Sequence, residues 1–180
     1  MKHFAIAFAF VAAGGLTTYS SATVPAQAGP EYVGVFEAVV GGKRLPLERQ
    51  SASMEMRGKM MGLGGMEMYS KFSGGRSPVR FHSGDKVSFV VRIASTDADP
   101  ASYLFLSKMT SKKKERRAVY AGQGIYGGFK VDPSGAKLHL PVNYRRQGRF
   151  MYLEPLVTLE PGEYMLTATG TQNAFLFGVD

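Results

Sequence analysis

Methionine is concentrated in one short stretch of this chain, where six thioether sulfurs fall within fifteen residues. Soft thioethers select Cu(I) over harder ions, and copper carriers outside the cytoplasm use such clusters. The stretch holds two Met-Glu-Met triplets around a glycine-rich bend. Because alternate residues of a strand share a face, pairing the triplets in a hairpin would line one face with four sulfurs and place both glutamates on the other. The candidate copper ligands are Met54, Met56, Met60, Met61, Met66 and Met68, with His82 as an additional nitrogen ligand.

The same methionines have two other interpretations. An alternating Met-Glu-Met pattern is also typical of a half-buried strand, because Met fills irregular gaps in a core. A methionine-lined groove for a peptide or another hydrophobic partner is the third interpretation. The sequence leaves all three open, and the direction in which the sulfurs point decides between the core and the two binding interpretations.

Basic residues form a second concentration of one chemical type. The chain carries 22 Lys and Arg against 14 Asp and Glu, a net charge of +8. We predict a contact surface for an anionic partner, either an envelope protein or an anionic envelope polymer. Nucleic acid is not expected, because the main basic run contains no aromatic residues for base stacking. A solvated loop that protects a sheet edge is the alternative. The candidate residues are Lys112, Lys113, Lys114, Arg116 and Arg117 on one hairpin tip, and Arg145, Arg146 and Arg149 on another predicted turn.

Two further motifs contain the residue types of catalytic or cofactor sites. Residues 82–85, His-Ser-Gly-Asp, sit in one turn, where a base, a nucleophile and an acid cannot easily converge as a triad. Residues 122–127 match G-x-G-x-x-G, but a Pro follows and no helical periodicity does, so we interpret them as a glycine-rich connection. The chain has no Cys, which excludes thiolate chemistry. We therefore predict no enzymatic activity and no cofactor, with copper as the alternative.

The first 28 residues are typical of a secretory signal peptide. Lys2 supplies the positive charge, residues 4–16 form an uncharged apolar stretch too short to span a bilayer, and residues 26–28 (Ala-Gln-Ala) form a cleavage site. Removal of Lys2 leaves a net charge of +7. No later stretch is apolar enough for a transmembrane anchor. We predict a periplasmic or secreted protein, with residues 29–180 as a single domain.

Short apolar alternations, punctuated by Gly and Pro, indicate that the positioning elements are strands. No window after the leader has a sustained helical period, so the sequence predicts an all-β fold. The polar tip between residues 102–108 and 116–121 favours a hairpin. The predicted segments are residues 32–36, 86–93, 102–108, 116–121, 138–140, 150–153, 164–169 and 174–179.

Residues 159–164, Leu-Glu-Pro-Gly-Glu-Tyr, resemble the tyrosine corner of immunoglobulin-like and fibronectin type III domains. The resemblance implies a Greek-key β-sandwich in which the Tyr164 hydroxyl bonds to the backbone just upstream. Together with residues 58–65, 77–81 and 175–180, this motif also resembles a group of secreted bacterial proteins whose role is uncharacterised. That resemblance implies no activity and assigns no functional residue.

Overall fold

A computed structural model describes residues 29–58, 66–94, 97–124, 127–131 and 138–180, and almost all regular structure in these ranges is β. Pro100–Ser102 form one turn of 3-10 helix, which Asp99 caps by accepting the Ala101 N–H. In the described ranges no helix has the length and apolar character needed to cross a membrane. The strands are β1 (Phe36–Val40), β2 (Lys43–Pro46), β3 (Glu48–Ser51), β4 (Ser53–Gly58), β5 (Met66–Ser73), β6 (Arg80–Phe81), β7 (Val87–Arg92), β8 (Leu104–Lys112), β9 (Glu115–Gly124), β10 (Gly127–Val131), β11 (Val142–Gln147), β12 (Phe150–Pro155), β13 (Gly162–Ala168) and β14 (Asn173–Val179).

The predicted all-β sandwich is confirmed, although several strands lack a clear sequence signal. The strongest alternations correspond to β7, β12, β13 and β14, and the expected hairpin is β8–β9. Strands β2, β3 and β11 are polar and were not expected. The segment around His139 makes only an isolated bridge to Ser107. The glycine motif of residues 122–127 spans the β9–β10 hairpin, with residues 125–126 outside the described ranges.

The first sheet has five antiparallel strands in the order β11-β12-β7-β1-β2. Its inner face is apolar because alternate residues of its central strands are apolar, such as Phe36 and Ala38 on β1 and Phe89 on β7. These side chains pack in the core between the two sheets, against Phe175 and Phe177 of β14. This layer provides one half of the sandwich.

The second sheet curls on itself. Its hydrogen-bonded path runs β3-β14-β13-β8-β9-β5-β4, with β10 attached to β9 and β6 attached to β14. Strands β3 and β4 stand at opposite ends of this path, yet only Ala52 separates them in the chain. The two edge strands of the sheet are therefore consecutive parts of one chain segment, and the sheet closes there. The Gln50 side chain on β3 forms hydrogen bonds across this closure with the backbone N–H (2.9 Å) and C=O (3.1 Å) of Ser73 on β5. We call this element the rolled sheet.

The hairpin of β13 and β14 is buried on both faces, because it belongs to the sandwich and to the wall of the rolled sheet. Tyr164 and Leu166 on β13 point into the core between the sheets, whereas Met165 points into the rolled sheet. On β14 the neighbours Phe177 and Leu176 divide in the same way. The core inside the rolled sheet consists of Phe72, Met109, Ala118, Met165, Ala174 and Leu176.

The rolled sheet has a closed end and an open end. Residues 74–79, between β5 and β6, cover the closed end, where Ser77 is buried and donates its N–H to Glu163 at 2.8 Å. Gly75 is required in this cover, since a Cβ there would lie 2.3 Å from the carbonyl oxygen of Lys112. The open end lies where β8 begins and β13 ends, beside the β13–β14 turn.

Tyr164 forms the hydrogen bond that the tyrosine corner predicts. Its hydroxyl donates to the carbonyl oxygen of Glu160 at 2.6 Å, and the ring is fully buried and stacks on Phe177. Burial raises the pKa of the Tyr164 phenol, so the hydroxyl keeps its proton over the physiological range. The bond holds the β12–β13 loop against the start of β13.

Tyr164→Phe is expected to lower the free energy of unfolding by about 1 kcal/mol, because the buried ring remains and only the hydrogen bond to Glu160 is lost. Urea denaturation measures the difference. Tyr32→Phe removes a hydroxyl from an exposed ring and serves as the control. Equal stability of the Tyr164 variant and the wild type would contradict the assigned role of the hydroxyl.

Candidate functional site

The methionine triplets lie on the hairpin of β4 and β5. Met56 stands directly opposite Met68, and Met54, two residues earlier on β4, shares their face. Met54 and Met56 are each 65% exposed and Met68 is half-buried. By contrast, Met109, Met151 and Met165 are buried in the two cores. We call Met54, Met56 and Met68 the thioether surface.

The remaining predicted ligands of the cluster fall at the limits of the structure. The backbone of Met66 pairs with Gly58, and Met60 and Met61 lie outside the described residues. Core packing does not account for Met54 and Met56, because most of each side chain is exposed. Within the described ranges, no group of three or more His, Asp or Glu side chains is placed to hold a metal ion.

The thioether surface continues the inner face of the rolled sheet beyond its open end. Alternation from Gln50 through Ala52 places Met54 on the inner side of the β3–β4 segment. A cavity of about 570 Å³ opens there, and Met54 lines it together with Ser70 of β5, Phe105 of β8 and residues 167–173. The sulfur-bearing face is therefore accessible and adjoins a partly enclosed space.

The opposite face of the β4–β5 hairpin carries a polar layer. Tyr69 donates its hydroxyl to Glu55 at 3.0 Å, Lys71 forms an ion pair with the same carboxylate, and the Arg117 guanidinium lies 4.4 Å from the centre of the Tyr69 ring. Hydrogen bonds from Lys71 and Tyr69 hold the pKa of Glu55 below its ordinary value. Glu55 lies on the face opposite the sulfurs, as strand alternation requires once the triplets pair, and its contacts fix the orientation of the hairpin.

His82 does not belong to the thioether surface, which corrects the predicted nitrogen ligand. It lies in the turn after β6, where its backbone N–H donates to the Asp85 carboxylate at 2.8 Å. Strand β6, which precedes His82, pairs with the C-terminal end of β14. The β3–β4 segment, which carries Met54, pairs with the N-terminal end of β14 at Asn173. Six residues of strand separate these points by roughly 20 Å.

His139 is the histidine that the fold brings toward the open end. Its Nδ1 lies 2.8 Å from the Ser107 hydroxyl, and its ring stacks on Phe105 with 4.2 Å between centroids. Phe105 in turn lines the cavity that Met54 reaches. The bridge between His139 and Ser107 of β8 fixes the face that the ring occupies.

Arg116 is not part of any contact surface, which corrects another prediction. It is fully buried inside the rolled sheet, where both guanidinium NH2 groups donate to Glu48 at 2.8 Å. The same side chain donates to the carbonyl oxygens of Ser73 (2.8 Å) and Gly74 (3.0 Å), and Glu163 lies 3.6 Å away. Every one of these partners lies on or next to the closed end.

The buried charges extend outward as a chain of alternating sign. Glu163 accepts from Arg80 at 2.7 Å, and Arg80 forms a second pair with Asp180, which also pairs with Arg76. Gly178 makes room for this chain, because a Cβ there would lie 2.0 Å from an Arg80 nitrogen. Hydrogen bonding from Arg80 lowers the pKa of Asp180. The charges are structural and tie β14, β13 and β6 together.

The remaining basic candidates divide between the two ends of the molecule. Lys112, Lys113 and Lys114 are exposed at the β8–β9 tip, which lies at the closed end. We call these three residues the lysine tip. Arg117, by contrast, is mostly covered, with its guanidinium paired with Glu115 and stacked on Tyr69.

The second arginine group lies elsewhere, and part of it is not on a turn. Arg145 and Arg146 belong to strand β11, and only Arg149 is in the turn before β12. The Arg145 guanidinium lies 4.6 Å from the centre of the Tyr152 ring. This group adjoins the start of β8, so the length of β8 separates it from the lysine tip by roughly 26 Å. The predicted basic residues therefore do not form one surface.

The sequence matches no protein-family model, and comparisons with curated proteins and with solved structures gave no significant match. The assignment of function therefore depends on the geometry of the two ends.

Arg116→Met is expected to lower the free energy of unfolding by about 3–5 kcal/mol, because Glu48 and Glu163 would remain as buried charges without their partner. Urea denaturation followed by tyrosine fluorescence is suitable, since the chain has no Trp. Lys113→Met removes an equal charge from the exposed tip and serves as the control. Similar losses in both variants would contradict the buried role of Arg116.

The same network predicts a loss of stability in acid. Burial raises the pKa of Glu48, but hydrogen bonds from Arg116, Ser77 and Gln50 outweigh burial and leave it below its ordinary value. A lowered pKa in the folded state contributes stability above the unfolded-state pKa, and protonation removes it as the pH falls below about 4. Unfolding measured from pH 7 to pH 3 should show a steeper loss for the wild type than for Glu48→Gln. Parallel curves would contradict this prediction.

Proposed function

We propose that this protein is an exported, non-enzymatic binding module whose thioether surface binds Cu(I). The single observation that carries the proposal is the 65% exposure of both Met54 and Met56 on the face that they share with Met68. Large apolar side chains placed together in solvent point to a ligand or a partner rather than to a folding role. Export, to the periplasm or beyond the cell, remains a prediction from residues 1–28.

The geometry suits one soft ion. Side chains opposite each other on paired strands have Cβ atoms about 5 Å apart, and those two residues apart on one strand about 7 Å. Methionine has three rotatable side-chain bonds, so the sulfurs of Met54, Met56 and Met68 can converge on one ion. Thioether ligands favour Cu(I), and the carboxylate of Glu55 lies on the other face.

Replacing Met54, Met56 and Met68 with Leu is expected to weaken Cu(I) binding at least about tenfold, because Leu keeps the apolar volume and removes the sulfur ligands. Anaerobic competition against a colorimetric Cu(I) chelator measures the affinity. A matched control replaces Met109, Met151 and Met165 with Leu, which removes three buried sulfurs. If the surface variant competes as well as the wild type, copper binding at this site is wrong.

Contact with an anionic envelope polymer or protein through the lysine tip is the second candidate function. The observation that favours it is the exposure of Lys112, Lys113 and Lys114 at one hairpin end, after Arg116 and Arg117 are set aside as internal contacts. Adjacent exposed lysines raise the local positive potential, and salt screens this attraction.

Neutralising the lysine tip with Gln at positions 112, 113 and 114 should reduce retention on anionic envelope material at low salt, where screening is weakest. The matched control neutralises Arg145, Arg146 and Arg149, which changes the net charge equally at the other end of the molecule. Retention by immobilised material, measured over a salt gradient, compares the variants. Equal losses in both would indicate an effect of net charge alone and would contradict a specific tip.

A further inference from the structure

Strand β4 presents an open edge. In the part of the chain that the structure describes, β4 pairs with β5 alone, and β14 leaves the β3–β4 segment at Ala52. The last contact is the hydrogen bond from the Ala52 backbone N–H to the carbonyl oxygen of Gln172, just before β14, at 2.8 Å. Backbone groups of successive strand residues point to alternate edges, so the N–H and C=O groups of Met54 and Met56 face away from β5. This edge is able to accept another strand.

The sequence of β4 is complementary to itself in antiparallel pairing. Around a two-fold axis at Met56, Glu55 of one copy stands opposite Arg57 of the other, and this occurs twice. These positions form pairs without backbone hydrogen bonds, in which facing side chains are closest. On the other face, Met54 would stand opposite Gly58, which leaves space for the longer side chain.

We infer that two copies of this chain associate through their β4 edges, in the register that places Met56 opposite Met56. This arrangement satisfies outward-facing backbone groups of β4. It also brings the thioether surfaces of both copies side by side. The association does not depend on copper.

Neighbouring registers are disfavoured by charge. An axis at residue 55 would place Glu55 opposite Glu55, and an axis at residue 57 would place Arg57 opposite Arg57. Like charges directly opposite each other on paired strands are destabilising. The pairing centred on Met56 is therefore the register that the charges of β4 select.

The absence of Cys from the chain allows a direct test by cross-linking. In the proposed dimer, the two Met56→Cys residues form a hydrogen-bonded pair with Cα atoms about 5.5 Å apart, within the range of a disulfide. The two Met54→Cys residues are four positions out of register, about 13 Å apart, which is too far. Both residues are equally exposed, so they have the same access to oxidant.

Oxidation with diamide in copper-free buffer should convert Met56→Cys to a disulfide-linked dimer on non-reducing gels, with several-fold less from Met54→Cys. Adding Arg57→Glu should lower the yield from Met56→Cys several-fold, whereas Arg145→Glu, the same charge change at an exposed site remote from the β4 edge, should not. Sedimentation of the unmodified chain should show a concentration-dependent dimer.

Equal cross-linking of the two Cys variants, or none from either, would overturn the β4 pairing. A purely monomeric chain at high concentration would do the same. Circular dichroism of each variant confirms that its strands are intact before the yields are compared. Because every arm lacks copper, failure here leaves the result of the Cu(I) competition unaffected.

Discussion

Arg116 places a full positive charge inside the rolled sheet, and the closure of that sheet is arranged around it. Glu48 reaches it from β3, Glu163 from β13, and the carbonyl oxygens of Ser73 and Gly74 from the end of β5. A buried guanidinium is tolerated only when its donors have acceptors, so these segments must all arrive together. The pair of Arg116 and Glu48 therefore connects the β3 edge of the sheet to β9, across the line where the roll closes.

This arrangement makes the two ends of the rolled sheet chemically different. At the closed end, charges are paired internally and residues 74–79 cover the interior. At the open end, no corresponding charge network is described among residues 52–54 and 167–173, and the inner face continues as exposed methionines. The polar layer of Glu55, Tyr69 and Lys71 holds the outer face of the same hairpin, so the sulfurs are displayed on an ordered support. A binding site is easier to form at the end that folding leaves accessible.

Local pattern predicted the strands that carry strong alternation and the tyrosine corner, because both depend on neighbouring residues. Strand alternation also gave the consequence of pairing the two Met-Glu-Met triplets, which is sulfur on one face and carboxylate on the other, but the pairing itself was only one of the possibilities. Local pattern failed for Arg116, since a run of basic residues resembles a solvated tip. The available signal was that Arg116 and Arg117 are neighbours in a strand. Neighbouring strand residues point to opposite faces, so one of the two arginines must point inward. The closure of the sheet had no local signal, because β3 and β4 are consecutive and differ only in their distant partners.

The hairpin of β13 and β14 separates two cores with single-residue precision, since Met165 serves one and its neighbours Tyr164 and Leu166 serve the other. Sliding β13 by one position would exchange the contents of both compartments and would also move Glu163 away from Arg80 and Arg116. Misalignment of this hairpin would therefore disrupt both cores and the ion pairs of Glu163. The sandwich and the rolled sheet consequently form as one cooperative unit, and neither is expected to melt while the other stays intact.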